Sequence, residues 1–220
     1  MRNVVIGKNS RVWSALAGSG LAERRHTLAI GHLEVRDFKF LPEDRVWLFS
    51  YSPIEAANEQ MIDQIQAAHV NTLVYVSSSS AIVAESTRCY AYPRTKLAAE
   101  RYAAKFENAR VLTLGLVYEN AIELPAGENV ATSIESLAKF LTDPSWECAS
   151  SGRHLLFERY TKPFSSEVEQ LLYRIYGAAI SLFRKYPCLL RPLDIVLKYA
   201  GYRWYGYTYL SNKIWTRSIL

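Results

Sequence analysis

Two neighbouring stretches decide how this sequence is interpreted: LVYVSSSS at residues 73–80 and YPRTKLAAE at residues 92–100. The first is an apolar run that ends in serines, which is typical of a buried parallel strand that stops at the edge of a sheet. The second begins a predicted helix with Tyr92 and places Lys96 four residues later. Residues four apart lie on one face of a helix, so we expect the phenol and the ammonium side by side.

A phenol, an ammonium and a serine in this order are suited to proton transfer. A lysine ammonium favours the phenolate and lowers the pKa of a neighbouring tyrosine. Tyr92 would then be a usable acid and base near neutral pH. A serine hydroxyl at the end of the adjacent strand can hydrogen-bond the same substrate oxygen. A Tyr and a Lys four apart also occur on exposed helix faces without any function, and the preceding strand and serines favour the catalytic interpretation.

Strand-like and helical patterns alternate on both sides of these two stretches. Alternation of this kind predicts parallel βαβ units in a doubly wound sheet. We therefore expect an α/β protein with a Rossmann-like dinucleotide-binding core over residues 1–120. A small, mainly helical, substrate-binding lobe is expected over residues 121–220, as part of the same compact unit. The predicted strands of the core are residues 4–6, 26–30, 46–49, 72–76 and 111–117, and the predicted helices are residues 11–22, 54–68 and 92–106.

The turn after the first strand is the expected site of a dinucleotide. Such folds hold a pyrophosphate at a glycine turn and a helix N-terminus. Only the first glycine of a G-x-x-G-x-x-G spacing is present, because Ser10 and Trp13 occupy the other two places. Arg11 would suit a 2′-phosphate and weakly favours NADP over NAD. A strand, a turn and a capped helix without a ligand explain this stretch equally well. The candidate cofactor-binding residues of the turn are Gly7, Lys8, Asn9, Ser10 and Arg11.

The stretch from the serines to Glu100 resembles the short-chain dehydrogenase/reductase superfamily, above all its sugar-nucleotide epimerase, dehydratase and reductase branch. That branch often has a strand, three serines and then Y-x-x-x-K-x-x-x-E. The resemblance implies that Ser79 is the catalytic serine and that Ser78 is a substrate-side alternative to it. It implies that Tyr92 is the acid/base, and that Lys96 binds the nicotinamide ribose and tunes the tyrosine. Asn58, before the serine strand, resembles an asparagine of the family and is a further candidate for cofactor binding.

The same resemblance implies an enzyme that uses NAD(P) to transfer hydride to or from a nucleotide-activated sugar. Surface polysaccharide synthesis is the expected setting. The serine run at residues 77–80 replaces the Thr-Asp-Glu of dehydratases and favours epimerisation or simple carbonyl reduction. The alternative is a non-catalytic relative with a degenerate dinucleotide fold, which binds a nucleotide or a partner, including at a membrane surface.

The sequence from Lys198 onward is dense in tyrosine, tryptophan and basic residues, and leaves three interpretations open. The aromatic side chains could simply pack a lobe. They could line a substrate site together with Arg203, which would grip a diphosphate. They could also contact a membrane surface, where Tyr and Trp are favoured.

Composition sets the outer limits on function. A net charge of +5 with scattered basic residues does not indicate a nucleic-acid partner. Three distant cysteines without a CxxC pair predict neither a disulfide framework nor a metal site. No stretch approaches the roughly 18 apolar residues of a membrane span, and no signal peptide is evident. We therefore expect a cytoplasmic protein whose main partner is a small molecule, with a homodimer as a further possibility.

Overall fold

A six-stranded parallel sheet, the core sheet, and a smaller three-stranded sheet, the lobe sheet, organise the chain. The computed structural model describes residues 2–18, 27–87, 89–142, 152–183, 186, 189–202 and 204–218. The strands are β1 (Asn3–Ile6), β2 (Thr27–Ile30), β3 (Arg45–Leu48), β4 (Thr72–Ser78), β5 (Ala109–Leu114), β6 (Leu116–Tyr118), β7 (Gly127–Ser133), β8 (Arg153–Leu156) and β9 (Glu158–Lys162). The helices are α1 (Arg11–Gly18), α2 (Glu55–Ala67), α3 (Ala91–Ala103), α4 (Ile134–Thr142), α5 (Glu167–Phe183), α6 (Leu190–Tyr199) and α7 (Gly206–Ser218).

The core sheet has the order β2-β1-β3-β4-β5-β8, and all its strands are parallel. The chain leaves β1 toward β2 and then crosses to β3 on the other side of β1. This reversal opens a crevice at the carboxyl ends of β1 and β3, where doubly wound sheets bind their ligands. The Rossmann-like prediction is therefore confirmed. A short 3₁₀-helix, Leu33–Arg36, lies between β2 and β3, where the sequence is too short for another strand and helix.

Apolar side chains cover both faces of the core sheet. One face packs against α2 and α3 through side chains such as Ile62, Ile65 and Ala99. The other packs against α1 and α4, and here Trp13 is buried beside Leu16 and Trp47. The indole that replaces a glycine of the dinucleotide motif thus fills the space between α1 and the sheet.

The lobe sheet, with the order β6-β7-β9, was not predicted from sequence. The single strand predicted at residues 111–117 is in fact β5 and β6, separated by Gly115. A Cβ atom at Gly115 would lie 2.4 Å from the carbonyl oxygen of Val130, so the chain changes sheets where only glycine fits. The lobe is mainly helical as predicted, through α4, α5, α6 and α7, and it carries this small sheet in addition. After β6 and β7, the chain returns to the core sheet as β8, which pairs with β5 at the edge of that sheet.

The aromatic tail largely packs inside the lobe. Trp204, Leu210 and Trp215 are buried. Trp204 and Leu210 join a cluster with Tyr176 and Ile180 of α5 and with Tyr90 just before α3. Trp215 packs on Phe157. For most aromatic residues of the tail, this favours the interpretation that they pack the lobe over contact with a substrate or a membrane. Across the described residues, no helix is both long enough and apolar enough to cross a bilayer.

Candidate active site

Tyr92 lies in the first turn of α3, beside the end of β4. Its hydroxyl forms a side-chain hydrogen bond with Ser78, the last residue of β4. The Ser78 hydroxyl oxygen also lies 2.9 Å from that of Ser80 and accepts a hydrogen bond from the Ser80 backbone N–H. The structure thus brings together the tyrosine and a serine as the sequence predicted, and the serine that touches the phenol is Ser78.

Ser79 has different contacts. It begins the 3₁₀-helix Ser79–Val83 and is buried. Its backbone carbonyl accepts hydrogen bonds from the Ser211 hydroxyl at 2.9 Å and from the Trp215 indole N–H at 3.0 Å. Because these donors belong to α7, Ser79 joins the serine segment to the lobe. The catalytic role of the Ser79 hydroxyl stays a prediction.

Lys96 lies one helical turn after Tyr92, with its ammonium buried against the sheet. The Nζ atom donates a hydrogen bond of 2.9 Å to the carbonyl oxygen of Val76 in β4. It also lies 5.5 Å from the ring centroid of Tyr51 and 5.2 Å from that of Tyr75, within the range of cation–π attraction. Burial lowers the pKa of Lys96 to about 8.

The ionisation of Tyr92 departs from the sequence expectation. Burial raises the pKa of Tyr92, the hydrogen bond from Ser78 opposes this rise, and nearby Tyr51 adds to it. Lys96 does not enter this balance because its ammonium is directed at the Val76 carbonyl. The raised pKa therefore favours the protonated form of Tyr92 at neutral pH.

Aromatic rings flank Tyr92 on two sides, and sequence reasoning identified neither as part of the site. Tyr51, in the loop after β3, meets it edge-to-face with ring centroids 5.1 Å apart. Tyr207, in the first turn of α7, lies 6.1 Å from it at a tilt of 42°. The position of Tyr51 directly after a core strand was a usable signal. Tyr207 had no signal beyond its place in the aromatic tail.

The turn after β1 is a tight glycine turn that leads into a capped helix, as the sequence predicted. Gly7 has a φ of +117°, and a Cβ there would lie 3.0 Å from the backbone nitrogen of Ser50. Ser10 caps α1, because its hydroxyl accepts a hydrogen bond from the backbone N–H of Trp13 at 3.1 Å. The predicted cap is confirmed. Asn9 lies exposed between them.

The two basic residues of the turn form exposed ion pairs. Lys8 pairs with Glu34, and Arg11 pairs with Glu123 at 2.7 Å. Glu34 also accepts a hydrogen bond of 2.9 Å from the backbone N–H of Gly31, at the end of β2. These contacts hold the pKa of Glu34 below its usual range. An acidic group therefore lies at the end of the second strand, because Glu34 turns back to Gly31.

Two further polar residues shape the crevice. The His32 Nδ1 atom lies 2.8 Å from the Ser50 hydroxyl, joining the segments that follow β2 and β3. Asn58 is buried and makes three hydrogen bonds to the backbone of Ser52 and Ile54. Asn58 thus fixes the loop that carries Tyr51 rather than facing the turn itself. Arg203, the other substrate-binding candidate, lies outside the described residues.

These residues fit a nicotinamide dinucleotide. Gly7 and the capped α1 provide the turn, and Glu34 offers a carboxylate for a ribose hydroxyl. Exposed ion pairs contribute only about 0–1 kcal/mol, so a pyrophosphate can replace the partners of Lys8 and Arg11 at little cost. Lys96 lies beyond the turn, near the proton donor.

The comparisons with known proteins agree with this geometry at the level of the fold. No protein-family model and no curated protein sequence matches the chain. Among solved structures it is similar to TunA, an NAD-dependent NDP-hexosamine 5,6-dehydratase of tunicamycin biosynthesis, with a TM-score of 0.55 at 11% identity over 81% of each chain.

Two other similar structures belong to enzymes with different printed reactions, an epimerase and a reductase. The UDP-glucose 4-epimerase of Thermus thermophilus in complex with NAD gives a TM-score of 0.55 at 14% identity, over 73% of this chain and 79% of that one. A dTDP-4-dehydrorhamnose reductase from Clostridium acetobutylicum gives 0.53 at 11% identity, over 84% and 80%. In its fold, the chain is therefore a Rossmann protein, similar to solved structures of sugar-nucleotide epimerases, dehydratases and reductases.

Proposed function

We propose that this protein is an NAD-dependent reductase or epimerase that acts on a nucleotide-activated sugar. One observation carries the proposal: a protonated tyrosine, hydrogen-bonded to Ser78 and one turn from a buried lysine, lies at the edge of the sheet that also holds the glycine turn. The reaction types and the substrate class come from the similar folds, whose printed functions are epimerisation, dehydration and reduction of sugar nucleotides.

The proposed roles follow from the contacts. Tyr92 donates its proton to a substrate carbonyl oxygen, and Ser78 hydrogen-bonds the same oxygen. The nicotinamide, when bound, supplies the hydride to the carbonyl carbon, so that an alcohol forms. The hydrogen bond from Ser78 then stabilises the phenolate that Tyr92 has become, and Lys96 binds the ribose of the nicotinamide, as the family resemblance implies. In an epimerase the same residues would first accept the proton of the sugar hydroxyl as it is oxidised to the carbonyl. They would then return the proton when the carbonyl is reduced from its opposite face.

NAD is the cofactor that the turn favours. The weak expectation of NADP rested on Arg11, which pairs with Glu123. The Glu34 carboxylate lies at the end of β2, where the adenosine ribose of a dinucleotide binds. A carboxylate accepts hydrogen bonds from ribose hydroxyls and repels a 2′-phosphate.

Binding and turnover measurements test the proposal directly. We expect calorimetry to show that the protein binds NADH more tightly than NADPH. With bound cofactor, UDP-glucose, UDP-N-acetylglucosamine and their dTDP counterparts should be tried as substrates. Proton NMR of the sugar would reveal an epimer, and oxidation of NADH with a keto-sugar nucleotide would reveal a reductase.

Two negative outcomes would have different meanings. Failure to bind any nicotinamide dinucleotide would overturn the enzymatic proposal in favour of a non-catalytic binding module. Binding of NADH without binding of any sugar nucleotide would leave a reductase of another substrate class. A role in surface polysaccharide synthesis depends on the substrate class and falls with it.

Association with a second copy or with a membrane surface stays a prediction. The exposed side of α5 carries Val168, Leu171, Ile175 and Leu182, and we place any such contact there. Light scattering and flotation with anionic liposomes would distinguish the two.

A further inference from the structure

The side of Tyr92 that faces the lobe is built by α7. Tyr207, the second residue of α7, packs against Tyr92 and also meets Tyr90 at 5.0 Å between ring centroids. Its other neighbour is Tyr205, which stacks on it at 5.8 Å and 25°. Because Tyr205 is 37% exposed, the two rings form a continuous surface from solvent to the catalytic phenol. We call Tyr205 and Tyr207 the aromatic wall.

The two aromatic neighbours of Tyr92 come from different parts of the chain. Tyr51 follows Ser50, whose backbone lies against Gly7 of the dinucleotide turn, and it also lies near the Lys96 ammonium. The Tyr51 side is therefore the cofactor side. Tyr207 comes from α7 of the lobe and not from the segments that form the glycine turn, so we assign the aromatic wall to the substrate.

The aromatic wall is held rigidly. The backbone N–H of Gly206 donates to the carboxylate of Asp194, at 3.1 and 3.2 Å to its two oxygens. Asp194 is buried and also accepts hydrogen bonds from Tyr90 and Tyr176. A Cβ at Gly206 would lie 2.9 Å from the Tyr90 hydroxyl, so α7 begins in contact with the segment that precedes Tyr92.

The middle of α7 is fixed as well. Ser211 and Trp215 both donate to the carbonyl of Ser79, next to the serine that touches Tyr92. The same helix thus holds both the serine segment and Tyr207, so the wall has a set position relative to the proton donor. Burial raises the pKa of Tyr207 to about 12, so the Tyr207 ring presents an uncharged face at neutral pH.

We propose that Tyr207 is a substrate-binding residue that stacks against the apolar C–H face of the sugar ring and holds the reacting carbon beside Tyr92. Aromatic faces favour such contacts because they combine a large apolar surface with a negative quadrupole. The wall then recognises the sugar and not the nucleotide. This inference rests on the proposed function, since it needs a sugar substrate.

The experiment compares the affinity of a sugar nucleotide with that of its nucleoside diphosphate. UDP-glucose and UDP, and dTDP-glucose and dTDP, are titrated into the NADH-bound protein. Tyr207→Ala should weaken the binding of the sugar nucleotide by about tenfold, the value of one lost aromatic contact. Binding of UDP or dTDP, and of NADH, should stay unchanged. Tyr207→Phe keeps the ring and should bind like the wild type.

Tyr209→Ala is the matched control. Tyr209 lies on the same helix but packs on Tyr173 and Tyr176 inside the lobe, so it reports any general loosening of α7. If Tyr207→Ala does not fold, Tyr207→Leu retains apolar bulk and serves in its place. Equal losses for sugar nucleotide and diphosphate, or the same selective loss in Tyr209→Ala, would refute the inference. A wild type that binds NADH but no sugar nucleotide would overturn the proposed function, and the inference with it.

Discussion

The ammonium nitrogen of Lys96 donates a 2.9 Å hydrogen bond to the carbonyl oxygen of Val76. Burial lowers the pKa of Lys96 from its ordinary value of 10.5 to about 8. Between these two values the unfolded chain binds a proton at Lys96 that the folded chain does not. The free energy of unfolding therefore rises with pH across this window, as far as Lys96 contributes to it. Below about pH 8 the full cost of burying the charge is present.

Lys96→Met should remove this pH dependence. Relative to the variant, the wild type should gain on the order of 3 kcal/mol of unfolding free energy between neutral pH and the upper end of the window. Urea unfolding at several pH values measures the difference in unfolding free energy between the wild type and the variant. The contributions of other titrating groups are the same in both proteins and therefore cancel. Lys105 is an exposed lysine just after the same helix. The unfolding free energy of Lys105→Met should change with pH in the same way as that of the wild type. A constant offset between Lys96→Met and the wild type would show that the ammonium is not desolvated.

Tyr92→Phe should remove most of the turnover, on the order of 10²–10⁴-fold, as expected for the loss of a general acid. NADH affinity should barely change, because the hydroxyl faces Ser78 and the substrate side. Turnover with the identified substrate and calorimetry with NADH give the two values. Tyr102→Phe is the control. Tyr102 lies on the same helix as Tyr92, and the substitution removes an exposed hydroxyl that donates a hydrogen bond to Asp63 of α2. Near wild-type turnover in Tyr92→Phe would exclude the tyrosine as the proton donor.

Ser78→Ala and Ser79→Ala should differ. Ser78 touches the phenol, so its loss removes a hydrogen bond from the reacting pair, and we expect turnover to fall by about tenfold or more. Ser79→Ala leaves the carbonyl that binds α7 intact and should have a smaller effect. Steady-state kinetics of the two variants show which of them loses more turnover. The reverse order would restore the assignment that the family resemblance gives to Ser79.

Gly7→Ala should abolish cofactor binding. The added methyl would meet the backbone of Ser50 at 3.0 Å, on a residue whose φ of +117° favours glycine. The turn must then change shape and lose its approach to the pyrophosphate. Gly18→Ala, with no atom within 4 Å of the added Cβ, is the control and should bind NADH normally. Unchanged affinity in Gly7→Ala would mean that the cofactor does not use this turn.

The core was predictable because its information is local. Most core strands are short apolar runs, and β1, β3 and β4 are each followed by a turn signal and a helical pattern, so this alternation predicted the parallel sheet. Tyr92 and Lys96 were found for the same reason, since a spacing of four on a helix fixes their relative direction. The capping role of Ser10 also depends only on its immediate neighbours.

The remaining features depend on contacts between distant parts of the chain. Glu34 comes four residues after β2, and only the 3₁₀-helix Leu33–Arg36 turns its carboxylate back to Gly31. The choice of Ser78 over Ser79 depends on where β4 ends, which a run of four serines does not mark. Tyr207 and the lobe sheet have no periodic pattern, because tertiary packing and not propensity decides their place.

The contacts at the Ser79 carbonyl also impose an order on the formation of the site. Its donors, Ser211 and Trp215, follow it by 132 and 136 positions in the chain. Closing so long a loop is a slow, late event compared with the pairing of neighbouring βα units. The core sheet can therefore form while the serine segment is still free to move. Amide hydrogen exchange should show the residues around Ser79 opening together with α7, at a lower free energy than the strands beneath them.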